Sequence, residues 1–132
     1  MNHLQLFHNT CFECSSLITH RYSTSFSMGI RLFHPRFRAP ICGIYGFVRF
    51  ADEIVDTFHG FPKAELLQRF SDDTRRAIEE GISLNPVLHA FQLVARHYGI
   101  EQGLIDAFLK SMEMDLTEIT YDPARYEAYI YG

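Results

Sequence analysis

The sequence has little that would commit it to the outside of a cell, to a bilayer or to a nucleic acid. It holds three cysteines, Cys11, Cys14 and Cys42, too few to close a disulfide framework, so a reducing cytoplasmic setting is the expectation. No apolar run approaches the ~18 residues of a membrane-spanning helix. The first residues, Met-Asn-His-Leu-Gln-Leu-Phe-His, lack the basic start and sustained apolar stretch of a secretory signal. Basic residues number 12 against 16 acidic ones, a formal charge of −4, which argues against a general nucleic-acid binder. The seven histidines contain no His-x-x-x-His pair and no His-Glu-x-x-His motif, so they read as surface or core residues. What is present is core material: 47% apolar residues, with 12 Phe and 7 Tyr, and only 21% charged residues, which excludes intrinsic disorder. A length of 132 residues allows one compact domain or part of a larger one.

The punctuation is helical throughout. Proline suits a first helical position, because the N–H it lacks has no partner there in any case. Asn85-Pro86 predicts a helix over residues 87–98 that stops before Gly99, and Gly60-Phe61-Pro62 opens one over residues 63–80 that stops at Gly81. Asp122-Pro123 opens another that runs to the last residue. Residues 101–119 place Leu104, Ile105, Phe108, Leu109, Met112, Leu116 and Ile119 three and four apart, the spacing of one helical face. Residues 41–58 are apolar almost all round and predict a buried central helix. Gly43 and Gly46 weaken it by up to about 1 kcal/mol each, and a close approach of another backbone would explain them. Residues 126–131 are the nearest thing to an alternating strand. The expected class is all-α.

The polar residues of that central helix are ordered. Tyr45, Arg49, Asp52 and Asp56 are separated by four, three and four positions, so they share a face, and Glu53 lies beside them. Asp52 and Asp56 lie one turn apart, where like charges repel, more so among the apolar flanks Phe47, Val48, Phe50, Ile54 and Val55. A cation between them removes that repulsion. Oxygen ligands on one face suit Mg²⁺, which keeps waters and is commonly completed by substrate phosphate oxygens. Arg49 is placed to neutralise a carboxylate or clamp a phosphate. The plainer alternative is a solvated helix face. Upstream, Tyr22-Ser23-Thr24-Ser25-Phe26-Ser27 sets four hydroxyl side chains among aromatics, which reads either as a helix cap or as an anion-holding turn. Downstream, in Met112-Glu113-Met114-Asp115-Leu116, Asp115 falls on the apolar side of its helix. A buried carboxylate there would need Arg49 or a metal as partner, and a surface one at the helix edge would not.

In this order the three segments resemble the squalene/phytoene synthase family, over residues 22–132, with bacterial phytoene synthases the nearest likeness. The string Tyr45-x-x-x-Arg49-x-x-Asp52-x-x-x-Asp56 and the Ser-x-Ser-Phe turn before it carry the resemblance. It implies an isoprenoid synthase fold, a helical bundle around a central apolar cavity. It also implies head-to-head condensation of two geranylgeranyl diphosphates, through a cyclopropyl diphosphate, to phytoene in carotenoid biosynthesis. Asp52 and Asp56 then bind Mg²⁺, or Mn²⁺ in its place; Ser23, Ser25, Tyr45 and Arg49 contact or orient diphosphate; and Asp115 and Tyr129 line the active site with Tyr45 and Arg49. No NADPH is expected for a phytoene-type reaction. Greasy substrate and product imply peripheral membrane association.

Members of the family carry a second Asp-x-x-x-Asp motif on a later helix. After Asp56 the acidic i, i+4 pairs of this sequence stand in ordinary surface-like settings. Residues 1–132 therefore read as a single truncated domain, the N-terminal half of the fold, inactive alone and prone to self-association through an uncovered cavity wall. Two rival readings remain. One is a catalytically inactive helical module that binds a prenyl or lipid ligand or a partner protein. The other is a zinc or redox protein, prompted by Cys11-Phe12-Glu13-Cys14, although zinc normally needs four ligands.

Overall fold

The computed structural model describes residues 2–121, with side chains as far as residue 116. Among these residues the regular elements are all helices: α1 (His3–Tyr22), α2 (Thr24–Ile30), α3 (Pro35–Asp56), α4 (Lys63–Glu80), α5 (Pro86–Tyr98) and α6 (Gln102–Tyr121). The all-α expectation holds. The helix predicted after Asp122-Pro123 and the strand-like residues 126–131 lie outside the described residues.

Most boundaries follow the local chemistry. Asn85 Oδ1 accepts from the N–H groups of both Val87 and Leu88, and α5 ends where Gly99 takes a left-handed conformation (φ 67°) that costs glycine nothing. α4 keeps its predicted bounds and ends at Gly81 in the same way. α3 begins earlier than expected, at Pro35 instead of residue 41, because His34 Nδ1 caps the Arg36 N–H and Pro40 is carried inside the helix. α1 had no sequence expectation. The residues it buries are Cys11, Ser15 and Thr19, one turn apart, and such small polar side chains do not register as a core stripe.

The small residues explain how closely α1 and α3 approach. A Cβ built on Gly46 would stand 3.1 Å from Ser15 Oγ and 3.6 Å from Ser15 Cα, so a backbone does come close here, as the glycines suggested. Gly43 is met by side chains instead, those of Phe12 from α1 and Val94 from α5.

α3 is central in that it packs against α1, α4, α5 and α6, yet α5 is the more deeply buried, with eight of its 13 residues enclosed. The two share the heart of the core. Phe47 stacks on Phe91 of α5 at 3.9 Å between centroids, and lies within 5.4 Å of Phe70 (α4) and 5.6 Å of Phe108 (α6). α1 is fastened to α5 by a polar device as well. His89 is fully buried, and its Nδ1 accepts from the Ser83 N–H at 3.2 Å. Its Nε2 must therefore carry the proton, which it donates to His8 Nδ1 at 2.8 Å. Burial, and then the neighbouring His8, hold His89 below the ordinary imidazole range, which favours the neutral form of its ring.

The three thiols are free. Cys11 and Cys42 are buried, and burial followed by the neighbouring Cys14 pushes the Cys11 thiol up to about 11, away from the thiolate that ligates metals. No helix of the described residues is long and apolar enough to cross a membrane.

Candidate functional site

The stripe on α3 and the hydroxyl-rich bend meet. Tyr22, the last residue of α1, lays its ring 4.7 Å from the Arg49 guanidinium carbon, and Phe26 of α2 stacks on Tyr45 at 4.9 Å. Between these two rings sits Ser23, half-buried, which closes α1 and starts α2. Its Oγ accepts from the Phe26 N–H at 3.1 Å, so of the two sequence readings the cap is the one the geometry displays. Ser25 is exposed, and its hydroxyl bonds to no described residue.

Arg49 is held firmly, but not by the aspartates. Its Nη2 donates to Glu53 Oε1 at 2.7 Å, one turn along α3, and this bond chiefly, against the opposing effect of burial, pushes the guanidinium above its already high ordinary value. Arg49 Nε is buried and has no hydrogen-bond partner. A buried donor of a permanent cation, left without an acceptor, is a place where an anion's oxygen fits.

Asp52 is half-buried and Asp56 exposed. Burial first, and then the charge of Asp56, raise the Asp52 carboxyl above its ordinary value, with Arg49 opposing and Asp115 adding to the rise. The fold therefore does bring Asp115, from α6, within electrostatic reach of Asp52. Asp115 itself is exposed, so it needs neither Arg49 nor a metal to stand where it does. Lys63, at the start of α4, stands near Asp56, with its Nζ donating to the Val55 carbonyl at 2.6 Å. Tyr129 lies outside the described residues.

These carboxylates fit a hard cation. Asp52, Asp56 and Asp115 accept no hydrogen bond from any described residue, and all present oxygen. Among the described residues no three acidic, histidine or cysteine side chains converge closely enough to hold an ion. A partial set of this kind is the sort that Mg²⁺ completes with water and phosphate oxygens.

Residues 19–132 match the family model of squalene/phytoene synthase. The chain belongs to that family. No individual curated protein matches it. Squalene/phytoene synthases are prenyltransferase-type enzymes that act on prenyl diphosphates and generally use a divalent metal. The matched region takes in the bend, the stripe and Asp115, and begins inside α1.

Sequence reasoning missed four residues of the site. Glu53 as the partner of Arg49 was readable from the i, i+4 spacing. Tyr22 and Phe26 stood in the singled-out segment, but their partners depend on how α2 folds back over α3. Lys63 gave no signal, because its approach to Asp56 is set by the turn at residues 57–62.

Proposed function

We propose that the chain supplies the first aspartate pair and the diphosphate-orienting residues of a phytoene-type synthase, which joins two geranylgeranyl diphosphates head to head and releases diphosphate. The observation that carries the proposal is the unsatisfied Arg49 Nε beside a pair of carboxylates that accept no hydrogen bond. Asp52 and Asp56 would hold Mg²⁺ or Mn²⁺, which when bound neutralises the departing diphosphate. Arg49 offers its free donor to a diphosphate oxygen, while Glu53 and the Tyr22 ring keep the guanidinium in place. Tyr45, fixed under Phe26, lines the same face, and Ser23 and Ser25 close it from the bend. Asp115 adds a carboxylate from the opposite helix. Aromatic faces stabilise an allylic carbocation that water would quench, the work proposed for Tyr45 and Tyr129.

One aspartate pair is part of the metal set the family resemblance implies, so residues 1–132 by themselves are proposed to turn over little or nothing. NADPH has no part in this reaction. Attachment to a membrane surface suits the greasy substrate and product, with exposed Leu32 and Phe33 beside Arg31 and Arg36 as the contact. The experiment is product analysis after incubation with geranylgeranyl diphosphate and Mg²⁺, using protein that carries both aspartate motifs. Phytoene from the parent and none from Asp52→Asn supports the assignment, and undiminished phytoene from Asp52→Asn refutes it.

A second reading, a non-catalytic module binding a prenyl or lipid chain, is favoured by one feature. Phe33, Phe37, Ile41, Ile44, Val94 and Tyr98 line an open groove of about 420 Å³ between α3 and α5 without a polar surface. Prenyl binding that is indifferent to Mg²⁺ and to Asp52→Asn, but lost in Ile41→Glu, would favour it.

A further inference from the structure

The two aspartates of α3 do not stand on equally firm backbone. Asp52 lies a full turn inside the helix, whereas Asp56 is its final residue and is exposed. The end turns of helices fray, and a helix ends on orphaned carbonyls that favour nearby cations. This turn carries Glu53 and Asp56 and no basic residue of its own. If it unwinds, Asp56 leaves the one-turn spacing from Asp52 on which a shared cation depends.

The chain closes this end from outside the helix. The N–H groups of Thr57 and Phe58 both return to the Glu53 carbonyl, at 3.0 and 3.2 Å. The His59 N–H turns away to the Thr57 carbonyl at 2.8 Å, so the Val55 carbonyl loses the partner that a continuing helix would give it. Lys63 takes that place. Its Nζ donates to the Val55 carbonyl at 2.6 Å and to His59 Nδ1 at 2.9 Å, which pins the ammonium to both the helix end and the connecting turn. Phe58 and Phe61 meet edge to face across the same turn, 6.3 Å between centroids. Burial lowers the Lys63 ammonium below its ordinary value and Asp56 opposes this, so the two charges feel each other. Lys63 nevertheless forms no ion pair with a described carboxylate, and the Asp56 oxygens stay open to a ligand.

We infer that Lys63 is a positioning residue for the aspartate pair: by tying the Val55 carbonyl to His59 it keeps the last turn of α3 wound and Asp56 in register with Asp52. The inference rests on the proposed role of Asp52 and Asp56 as ligands of a divalent cation. Its consequence runs against simple electrostatics. A positive charge beside Asp56 repels an incoming cation, so if charge alone mattered, removing it would tighten metal binding. Because Lys63 acts through the helix end, removing it weakens binding instead.

Two measurements on the 132-residue chain test this. In EDTA, amide hydrogen exchange by NMR reads the turn without metal: in Lys63→Met the Thr57 and Phe58 amides exchange at least fivefold faster than in the parent, while amides in the middle of α4 and α5 are unchanged. Mn²⁺ binding, read from loss of the free-ion electron paramagnetic resonance signal, weakens at least threefold in Lys63→Met. It returns towards the parent value in Lys63→Arg, whose guanidinium can donate to the same two acceptors. Mn²⁺ affinity equal or tighter in Lys63→Met, or unchanged exchange at Thr57 and Phe58, overturns the inference and leaves the aspartate pair as proposed. A parent that binds Mn²⁺ no better than Asp52→Asn overturns the reading of the aspartates, and this inference with it.

Discussion

Replacing Asp52 by Asn keeps the shape of the side chain and removes one charge from the acidic face of α3. Without metal that charge is a liability. It is partly withdrawn from water and repelled by Asp56 one turn away, then by Glu53 and Asp115, against the attraction of Arg49. Like charges at this helical spacing cost about 0.2–0.5 kcal/mol, so Asp52→Asn should stabilise the metal-free chain by about 0.5 kcal/mol. In a domain of this length that raises the melting temperature by roughly 2 °C. With metal the order reverses. At Mg²⁺ ten times above its dissociation constant, linkage adds about 1.4 kcal/mol to the parent, and Asp52→Asn should gain only a small part of this. Paired thermal melts by circular dichroism, in EDTA and across a Mg²⁺ series, read both signs in one experiment. A parent indifferent to Mg²⁺, or a variant less stable than the parent in EDTA, would refute the view that these carboxylates stand unpaired for a cation.

Three further outcomes are expected. Ser15 Oγ is buried without a hydrogen bond and presses on Gly46; Ser15→Ala should be neutral or slightly stabilising, Gly46→Ala should destabilise by about 1 kcal/mol, and the double variant should recover most of that loss, as read by urea midpoints. Because burial and His8 hold His89 below its unfolded value of 6.5, the unfolded chain takes up protons first on acidification; stability should be level above about pH 7 and fall below pH 6.5, with a gentler slope in His89→Leu whatever its absolute stability. Phe47→Ala removes a ring shared by four helices and should cost about 3–5 kcal/mol, enough to leave the chain largely unfolded by near-ultraviolet circular dichroism; a midpoint shift below about 1 kcal/mol would deny Phe47 that role.

What the sequence conveyed, and what it did not, divides along physical lines. Proline, Asn and glycine act through the backbone within a few residues, so the bounds of α4 and α5 were legible to within one position. The stripe Tyr45, Arg49, Asp52, Asp56 was legible because helical periodicity alone places it on one face. α1 was not, since it buries Cys11, Ser15 and Thr19, with Ser15 set against Gly46, in place of the large apolar residues that a periodicity search detects. The partner of Arg49 was readable from the i, i+4 spacing, although Asp52, three positions on, offered the same charge, and the rotamer chose Glu53. The clasp of Tyr22 and Phe26 on α3 depends on the path of a single-residue connection, at Ser23, between two helices. No local pattern encodes it.

The ring cluster also governs when this polypeptide is vulnerable. Phe47, Phe70, Phe91 and Phe108 are each donated by a different helix in chain order. On a ribosome adding roughly 5–20 residues per second, several seconds pass between the emergence of the first ring and the last. Throughout that interval a greasy surface faces water with its later partners still unmade, so slowing translation just before α6 is expected to lower soluble yield.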